Sequence, residues 1–570
     1  MGDSSPGSRS QLDAHRVLVA PLDNRTGDAT LDPLGRVAAD WLTRGLARTG
    51  LVRVVPAYET DLDARYLTGV TGRPDYSALG RRLARRAGAG VAVTGAYYRR
   101  GDSLVVDARL VDAASGEVLG TVESGSPAVS DPVAAVEALR PRLLGALGAA
   151  VDPRLASWSA AAGPPPSYDA YLRYAAGLDL FFDGRFERAA HVLQGAGELE
   201  SGFAAPLLWA VFAYTNVGET GRADSLLAAI GADSLRLAPW DRAIFDDLDA
   251  ERRGDVQAAY EAAARVLTVS PGSEWAYELA YQADALGRPR ESVRILEDMN
   301  PDLGWTRVWE SYWWLLADDA YRIGEFGKAE RAARRGLRRF PGDRRLALAL
   351  ARALAARGQV DSAAAVFNRA PLGADPVCPA DCAPPSFAVP AAERAREWDV
   401  FVMALHQHGH EAVVQREGER ALAWYRALPE DDRALPSVCH SMGLVLEAMG
   451  RREEAGEMFR LGLAAATSHW ARMLRSHLAV NAAARGDTAA ALAGLAAADT
   501  VSWPDHTDAM RAYSRAFILA NLGRLTAAVD EFRRAFESWP QLSADLPGSA
   551  AADPLRRYPP FESLLSAYRK

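Results

Sequence analysis

The stretch GEFGKAERAARRGLRRFPGDRRLALALARALAARGQVDSA (residues 324–363) contains one full unit of an internal repeat. It opens on a glycine that is followed five residues later by alanine, and the same pair returns 34 residues further on. Nine pairs of a glycine and a small residue with this separation occur along the chain. They are Gly184/Ala189, Gly218/Ala223, Gly254/Ala259, Gly287/Ser292, Gly324/Ala329, Gly358/Ala363, Gly450/Ala455, Gly486/Ala491 and Gly523/Ala528.

The spacing of these pairs indicates the architecture. Neighbouring glycines are 33 to 37 residues apart, except for one interval of 92 residues, and helical patterns flank each of them. A fixed period of this length is typical of stacked helical repeats. Such arrays bury the apolar face of each unit against the next and present an extended binding surface rather than a closed catalytic pocket. The sequence therefore predicts an all-α solenoid from residue 168 onward.

These units resemble tetratricopeptide repeats. In that family the glycine ends the first helix of each pair, and the small residue lets the second helix approach closely. The closing proline of the family pattern is present as Pro271, Pro341 and Pro540. The resemblance implies nine or ten helix pairs in a superhelix, at 168–370 and 436–540. We expect a Cys/Pro-rich loop and a diverged helical unit at 371–435, and a closing segment at 541–570.

The first part of the chain has a different pattern. After a polar tail at 1–14, which we expect to be disordered, residues 15–152 alternate short apolar runs such as RVLVA (16–20) with amphipathic helical segments. The motifs VLVAPLDNRTGD (17–28) and VAVTGAYYRRGDSLVVDARLVDAASGEVLG (91–120) resemble the TolB-like domain of bacterial proteins. The resemblance implies a small α/β domain. A Pro-rich linker at 153–167 is expected to space it from the repeats.

Composition excludes several classes of function. The net charge of −8 argues against a dedicated nucleic-acid binder. No apolar run reaches the roughly 18 residues of a membrane span. The sequence contains no Walker, HExxH, kinase or dinucleotide-binding motif. We therefore predict a protein that is not an enzyme, needs no cofactor and binds a protein or peptide partner, without nucleic acid and without a membrane span in this chain.

Three candidate sites have ordinary structural alternatives. Gly101-Asp102-Ser103-Leu104 matches a hydrolase motif, but Ser103 leads into a strand, so a hairpin turn is favoured. His406, His408 and His410 alternate, yet Gly409 is expected to end a helix there and to turn the three rings apart, which argues against a metal site. The segment from Asn24 to Asp28 follows the first strand and reads as a polar turn.

The compartment stays open at this point. The chain as written is predicted to be soluble and cytoplasmic, or extracytoplasmic if it follows an anchor or signal. Cys378 and Cys382 lie in a Pro-rich loop, where either a disulfide or two free thiols fits the sequence. A disulfide would indicate an oxidising compartment.

A partner site follows from the tetratricopeptide resemblance. Lining positions of the repeat groove in that family correspond here to Tyr277, Tyr281, Trp314, Asp318 and Tyr321, and Glu274 would join them. Rigid aromatics supply binding area at low entropy cost, although these rings could instead pack between helices. Because the whole chain is acidic, we expect a partner segment with basic residues around an apolar centre.

Two functions remain in view from the sequence. The first is a protein-interaction scaffold that binds a partner segment in the groove. The alternative is the sensor or regulatory region of a membrane-anchored signalling protein, because in the resembled families these domains often follow a kinase, cyclase or transcription regulator.

Overall fold

The computed structural model describes most of the chain. The described residues are 12–50, 52–68, 75–124, 128–129, 131–151, 168–199, 203–232, 237, 239–269, 275–302, 305–369, 390–500, 507–539, 542 and 549–568. The tail at 1–11, the linker at 153–167 and the loop with Cys378 and Cys382 lie outside them.

The first part of the chain forms a mixed six-stranded sheet. Its strands are β1 (Asp13–Val19), β2 (Asp23–Asn24), β3 (Arg53–Val55), β4 (Ala89–Arg100), β5 (Ser103–Asp112) and β6 (Val118–Glu123). The order is β3-β1-β4-β5-β6, with β2 also pairing with β4. The pairs β1–β3, β1–β4 and β2–β4 are parallel, whereas β4–β5 and β5–β6 are antiparallel.

Four helices cover this sheet. They are α1 (Leu34–Ala47), α2 (Ala57–Thr68), α3 (Tyr76–Arg86) and α4 (Pro132–Ala150). Apolar residues of α1 and α4 pack with Val17, Val93 and Val106 on one face. Residues of α2 and α3 pack with Leu18 and Ala92 on the other face. This alternation along β1 and β4 is what a sheet covered on both faces requires.

The rest of the described chain is mainly helical. Among the described residues, short 3-10 turns occur at Ala29–Leu31, Trp305–Val308 and Ala550–Leu555. The helices are α5 (Tyr168–Phe182), α6 (Phe186–Leu199), α7 (Ala204–Asn216), α8 (Thr220–Ala232), α9 (Pro239–Arg252), α10 (Val256–Val269), α11 (Ala276–Ala285), α12 (Pro289–Asp298), α13 (Glu310–Arg322), α14 (Phe326–Arg339), α15 (Arg344–Ala356), α16 (Val360–Arg369), α17 (Pro390–Gln407), α18 (Glu411–Arg426), α19 (Glu430–Arg433), α20 (Pro436–Ala448), α21 (Arg452–Ala464), α22 (Ser468–Ala484), α23 (Thr488–Thr500), α24 (Thr507–Asn521), α25 (Leu525–Ser538) and α26 (Pro559–Tyr568).

The repeat glycines lie at the turns between paired helices, as predicted. All nine have φ between 71° and 81°, the left-handed conformation that ends a helix and favours glycine. The residue five positions after each glycine is 0% exposed in every pair, because it lies where the second helix approaches the first. The helix-turn-helix organisation inferred from the spacing is therefore confirmed.

The interval of 92 residues contains one more helix pair. Helices α17 and α18 are joined at Gly409, which has φ of 76°, and Val414 five residues later is fully buried. Because Val414 stands where the other units have a small residue, Gly409 and Val414 do not match the glycine and small-residue pattern of the nine pairs. This helix pair, at residues 390–426, lies within the stretch 371–435 for which a diverged helical unit is predicted.

The chain divides into two compact units. The first unit contains residues 1–279, 298–309 and 380–385, and the second contains 280–297, 310–379 and 386–570. Within the first unit the sheet, α1, α4 and helices α5 to α10 share one continuous apolar core. Arg36 Nη1 on α1 also donates to Asp179 Oδ2 on α5 at 2.9 Å. The expectation that the linker spaces the sheet from the first repeats is therefore wrong, since the two parts pack together.

Candidate partner-binding site

The predicted groove residues of the second unit lie on packed neighbouring helices. The first helices of successive pairs, α13, α15 and α17, contact one another in that order. We call the surface they form the first-helix face. It includes Trp314, Asp318 and Tyr321 on α13, Arg345 and Arg352 on α15, and Arg396 on α17.

Trp314 occupies one end of this face and is partly exposed. The guanidinium of Arg345 lies 5.7 Å from the centre of its ring, within the range of a cation–π contact. Arg345 Nη2 also donates to Glu310 Oε1 at 2.9 Å. The indole is therefore held beside a paired arginine while part of its surface stays open to a partner.

Asp318 and Tyr321 share one arginine. Arg352 Nη1 donates to Asp318 Oδ1, and the Arg352 guanidinium lies 4.2 Å from the centre of the Tyr321 ring. Tyr321 is only 7% exposed. Asp318 is thus already neutralised by Arg352, and the tyrosine contributes mainly to packing beneath the surface.

The turn after α17 completes the packing around Tyr321. The Tyr321 hydroxyl oxygen lies 2.9 Å from His408 Nε2, within hydrogen-bond distance, and the hydroxyl donates to Gln407 Oε1 at 3.3 Å. Burial, together with the nearby charges of His410, Arg556 and Arg352, lowers the pKa of His408 to about 4. His408 is therefore neutral near pH 7 and acts as part of the packing.

The three alternating histidines face different partners. His406 Nε2 lies 3.0 Å from Asp553 Oδ2, and His410 Nε2 lies 2.8 Å from the Ala355 carbonyl oxygen. Since His408 bonds to Tyr321, the three rings do not converge. No group of three potential metal ligands occurs among the residues that the structure describes.

The charge of the first-helix face differs from that of the whole chain. Its lining positions include Arg345, Arg352 and Arg396 against Asp318 and Asp399. Arg396 is exposed and forms no ion pair within the described part of the chain. Burial raises the pKa of Asp399 to about 7, so its negative charge is reduced near neutral pH. Because Arg345 and Arg352 are paired with Glu310 and Asp318, the charge that this surface offers to a bound segment is mainly that of Arg396. Screening makes this nearby charge more relevant to the segment than distant acidic residues.

The other predicted site residues have different positions. Tyr277 belongs to the first unit, is 6% exposed, and packs edge-to-face on Trp309 with ring centres 6.3 Å apart. Tyr281 belongs to the second unit and is 44% exposed. Glu274 lies outside the described residues.

The arginines of the first-helix face were missed by sequence reasoning. Arg345 and Arg352 fall at the same lining positions of their unit as Ser311 and Asp318 do in the preceding one, so the spacing alone could have identified them. Aromatic residues were selected instead, because the net charge of the chain gave no sign of a local basic surface.

The remaining candidates have structural roles. Ser103 opens β5 opposite Arg100 in the β4–β5 hairpin, as expected, and Gly101 has φ of 61°. The polar side chains of the turn at 24–28 form hydrogen bonds within the turn. Asn24 Nδ2 donates to the Asp28 carbonyl oxygen at 2.8 Å, and the Thr26 hydroxyl donates to Asn24 Oδ1.

Comparison with known proteins agrees with the repeat architecture. A family model described as tetratricopeptide repeat matches residues 322–376. A search of curated protein sequences finds no match. Among solved structures, a Rap protein complexed with competence and sporulation factor is 12% identical, with 65% of this chain and 97% of that chain covered and a TM-score of 0.37. The human IFIT1 dimer with PPP-AAAA is 14% identical, covering 63% and 88% with a TM-score of 0.33.

No helix within the described ranges is both long enough and apolar enough to cross a membrane.

Proposed function

We propose that this chain is a non-enzymatic scaffold whose second unit binds an extended segment of a partner protein along the first-helix face. The observation that carries the proposal is the combination of a partly exposed Trp314 on α13 with an exposed Arg396 on α17, two lining helices that both contact α15. A tryptophan and an arginine are the residue types most often found at the energetic centre of protein interfaces.

The local charge favours an acidic partner. Glu310 and Asp318 are paired with Arg345 and Arg352, so their negative charge is already compensated. Arg396 forms no ion pair among the described residues, and the Asp399 carboxylate that interacts with it is buried, with its pKa raised to about 7. We therefore expect a segment with an apolar or aromatic side chain against Trp314 and a carboxylate near Arg396, which replaces the basic partner expected from total charge.

Tyr321 has a supporting part in this proposal. Its ring is buried and its hydroxyl is already bonded to His408, so it positions the Arg352 side chain rather than receiving the partner. Tyr277 in the first unit is not proposed as a partner contact either, because its ring is buried against Trp309. Tyr281 offers an exposed ring and remains a predicted contact.

A peptide-display selection on the purified full chain tests the proposal. We expect enriched peptides to combine acidic residues with an aromatic or aliphatic one, and Arg396→Glu to weaken their binding by tenfold or more, an effect of about 1.4 kcal/mol. Arg331→Glu is the matched control, since it reverses an exposed arginine on α14, a second helix of its pair. Enrichment of basic peptides, or equal loss with both variants, would contradict the proposal.

A further inference from the structure

The first unit contains a small cavity that the proposed scaffold function does not use. It lies between α1, the start of α2, α7 and α9, and its volume is about 40 Å³. The walls include Asp40, Thr43, Tyr58, Trp209 and Asp241. A space of this size holds about three water-sized groups, which suits the head of a small molecule rather than a drug-sized ligand.

The polar side of the cavity contains the carboxylates of Asp40 and Asp241 with one partly buried arginine, Arg44, between them. Arg44 bridges the two carboxylates, with Nε 2.9 Å from Asp40 Oδ2 and Nη1 2.8 Å from Asp241 Oδ1. Its Nη2 donates to the Tyr174 hydroxyl at 3.0 Å. One guanidinium thus serves two partly buried carboxylates, whose side chains are 17% and 14% exposed. Burial raises the pKa of Asp40, and the nearby Asp241 carboxylate raises it further against the opposing effect of Arg44.

Thr43 adds an unsatisfied group. Its side chain is 5% exposed, and its hydroxyl oxygen has no hydrogen-bond partner among the described residues. A buried hydroxyl without a partner costs free energy, so a ligand that bonds to it would gain that contribution on binding. The hydroxyl can accept an N–H from a cation.

The opposite side of the cavity is aromatic. Trp209 and Tyr58 pack edge-to-face with ring centres 5.5 Å apart, and Trp240 completes this wall. Aromatic faces near buried carboxylates are the surroundings that attract organic cations, because the ring quadrupole adds to the attraction of the carboxylates. Arg48 also lines the cavity, but its side chain is exposed and its charge is largely solvated.

We propose that this cavity binds an organic ammonium, a protonated amine with a short apolar chain. Its charged nitrogen would be stabilised by Asp40 and Asp241, its N–H would satisfy Thr43, and its carbon atoms would pack on Trp209. This inference concerns the first unit and is independent of partner binding by the second.

Calorimetric titration of the full chain with three probes of matched chain length tests the charge preference without any mutation. The probes are n-butylammonium, n-butanol and n-butyrate. We expect n-butylammonium to bind at least about tenfold more tightly than either of the others. Equal or tighter binding of n-butyrate, or no detectable binding of n-butylammonium, would overturn the proposal.

Two variants then locate the site. Asp241→Asn should weaken n-butylammonium binding by about tenfold, whereas Asp249→Asn, on the same helix but paired with Arg253 at the surface, should leave it unchanged. Thr43→Val should weaken binding by about threefold while thermal stability is kept or raised, since it removes an unsatisfied buried hydroxyl. Unchanged affinity in both Asp241→Asn and Thr43→Val would place any binding elsewhere.

Discussion

The repeat glycines are required by backbone conformation and not by lack of space. Gly218, Gly324 and Gly358 have φ of 75°, 81° and 75°. A Cβ atom added at Gly324 or Gly358 would meet nothing within 4 Å. Only the left-handed conformation, which costs other residues roughly 1 kcal/mol, explains the choice. This is why a glycine period could be read from sequence as a series of helix ends.

A pair of substitutions within four residues tests this explanation. Gly218→Ala should lower the free energy of unfolding by about 1 kcal/mol, because alanine is strained at positive φ. Gly221 lies inside α8, where an added Cβ atom would meet nothing within 4 Å, so Gly221→Ala should be neutral or stabilising by about 0.5 kcal/mol. Urea unfolding of the two variants measures the difference. Equal effects would show that conformation is not the reason for the glycine.

The small residue of each pair is limited by packing. Ala329 is fully buried where α14 meets α13, so Ala329→Leu should cost about 1–3 kcal/mol through overpacking. Arg331→Leu, on the same helix but exposed, should change stability by no more than about 0.5 kcal/mol. Thermal unfolding of both proteins distinguishes them. An unchanged melting temperature for Ala329→Leu would refute the predicted helix crossing.

At the scale of elements, helix α2 shows what sequence reasoning could not supply. Its sequence, AYETDLDARYLT, lacks a clear apolar face, and no element was predicted there. In the structure Glu59, Asp61 and Asp63 are nearly buried. Asp61 is satisfied by tertiary partners, with Arg36 Nε at 3.1 Å. Buried carboxylates paired over long sequence distances leave no periodic signal, whereas the repeat helices, with their regular apolar spacing, were predicted correctly.

Helix α20 should show a pH effect through Glu447. Burial raises the pKa of this carboxyl to about 7, although Asn481 Nδ2 donates to it at 3.2 Å. The folded state then binds more protons than the unfolded state between about pH 4.5 and 7, so stability falls as pH rises through that range. Glu447→Gln should reduce this fall, and Glu453→Gln, exposed on α21, should not. Urea unfolding at pH 5 and pH 8 measures the slope. An identical slope in wild type and Glu447→Gln would rule out this source.

At the scale of the whole molecule, the spacing of the repeats predicts the architecture better than it predicts the residues of the partner-binding site. Lining positions follow from the repeat register, so Trp314 could be proposed as a contact from sequence. The same register placed Tyr277 in the groove, but its neighbour Trp309 lies outside any repeat helix and buries it. The pairing of Asp318 with Arg352 also requires the packed helices. Local charge and exposure therefore had to come from the structure.

The most direct test of the scaffold proposal is the affinity of a display-selected acidic peptide for Trp314→Ala, measured by fluorescence anisotropy. We predict a loss of about 2 kcal/mol or more, roughly thirtyfold, with an unchanged helical circular dichroism spectrum, because the partly exposed ring contributes to binding more than to folding. Trp313→Ala is the contrasting variant, since Trp313 is 3% exposed and its loss should destabilise the second unit. Unchanged affinity in folded Trp314→Ala, or its unfolding, would contradict partner binding at the first-helix face.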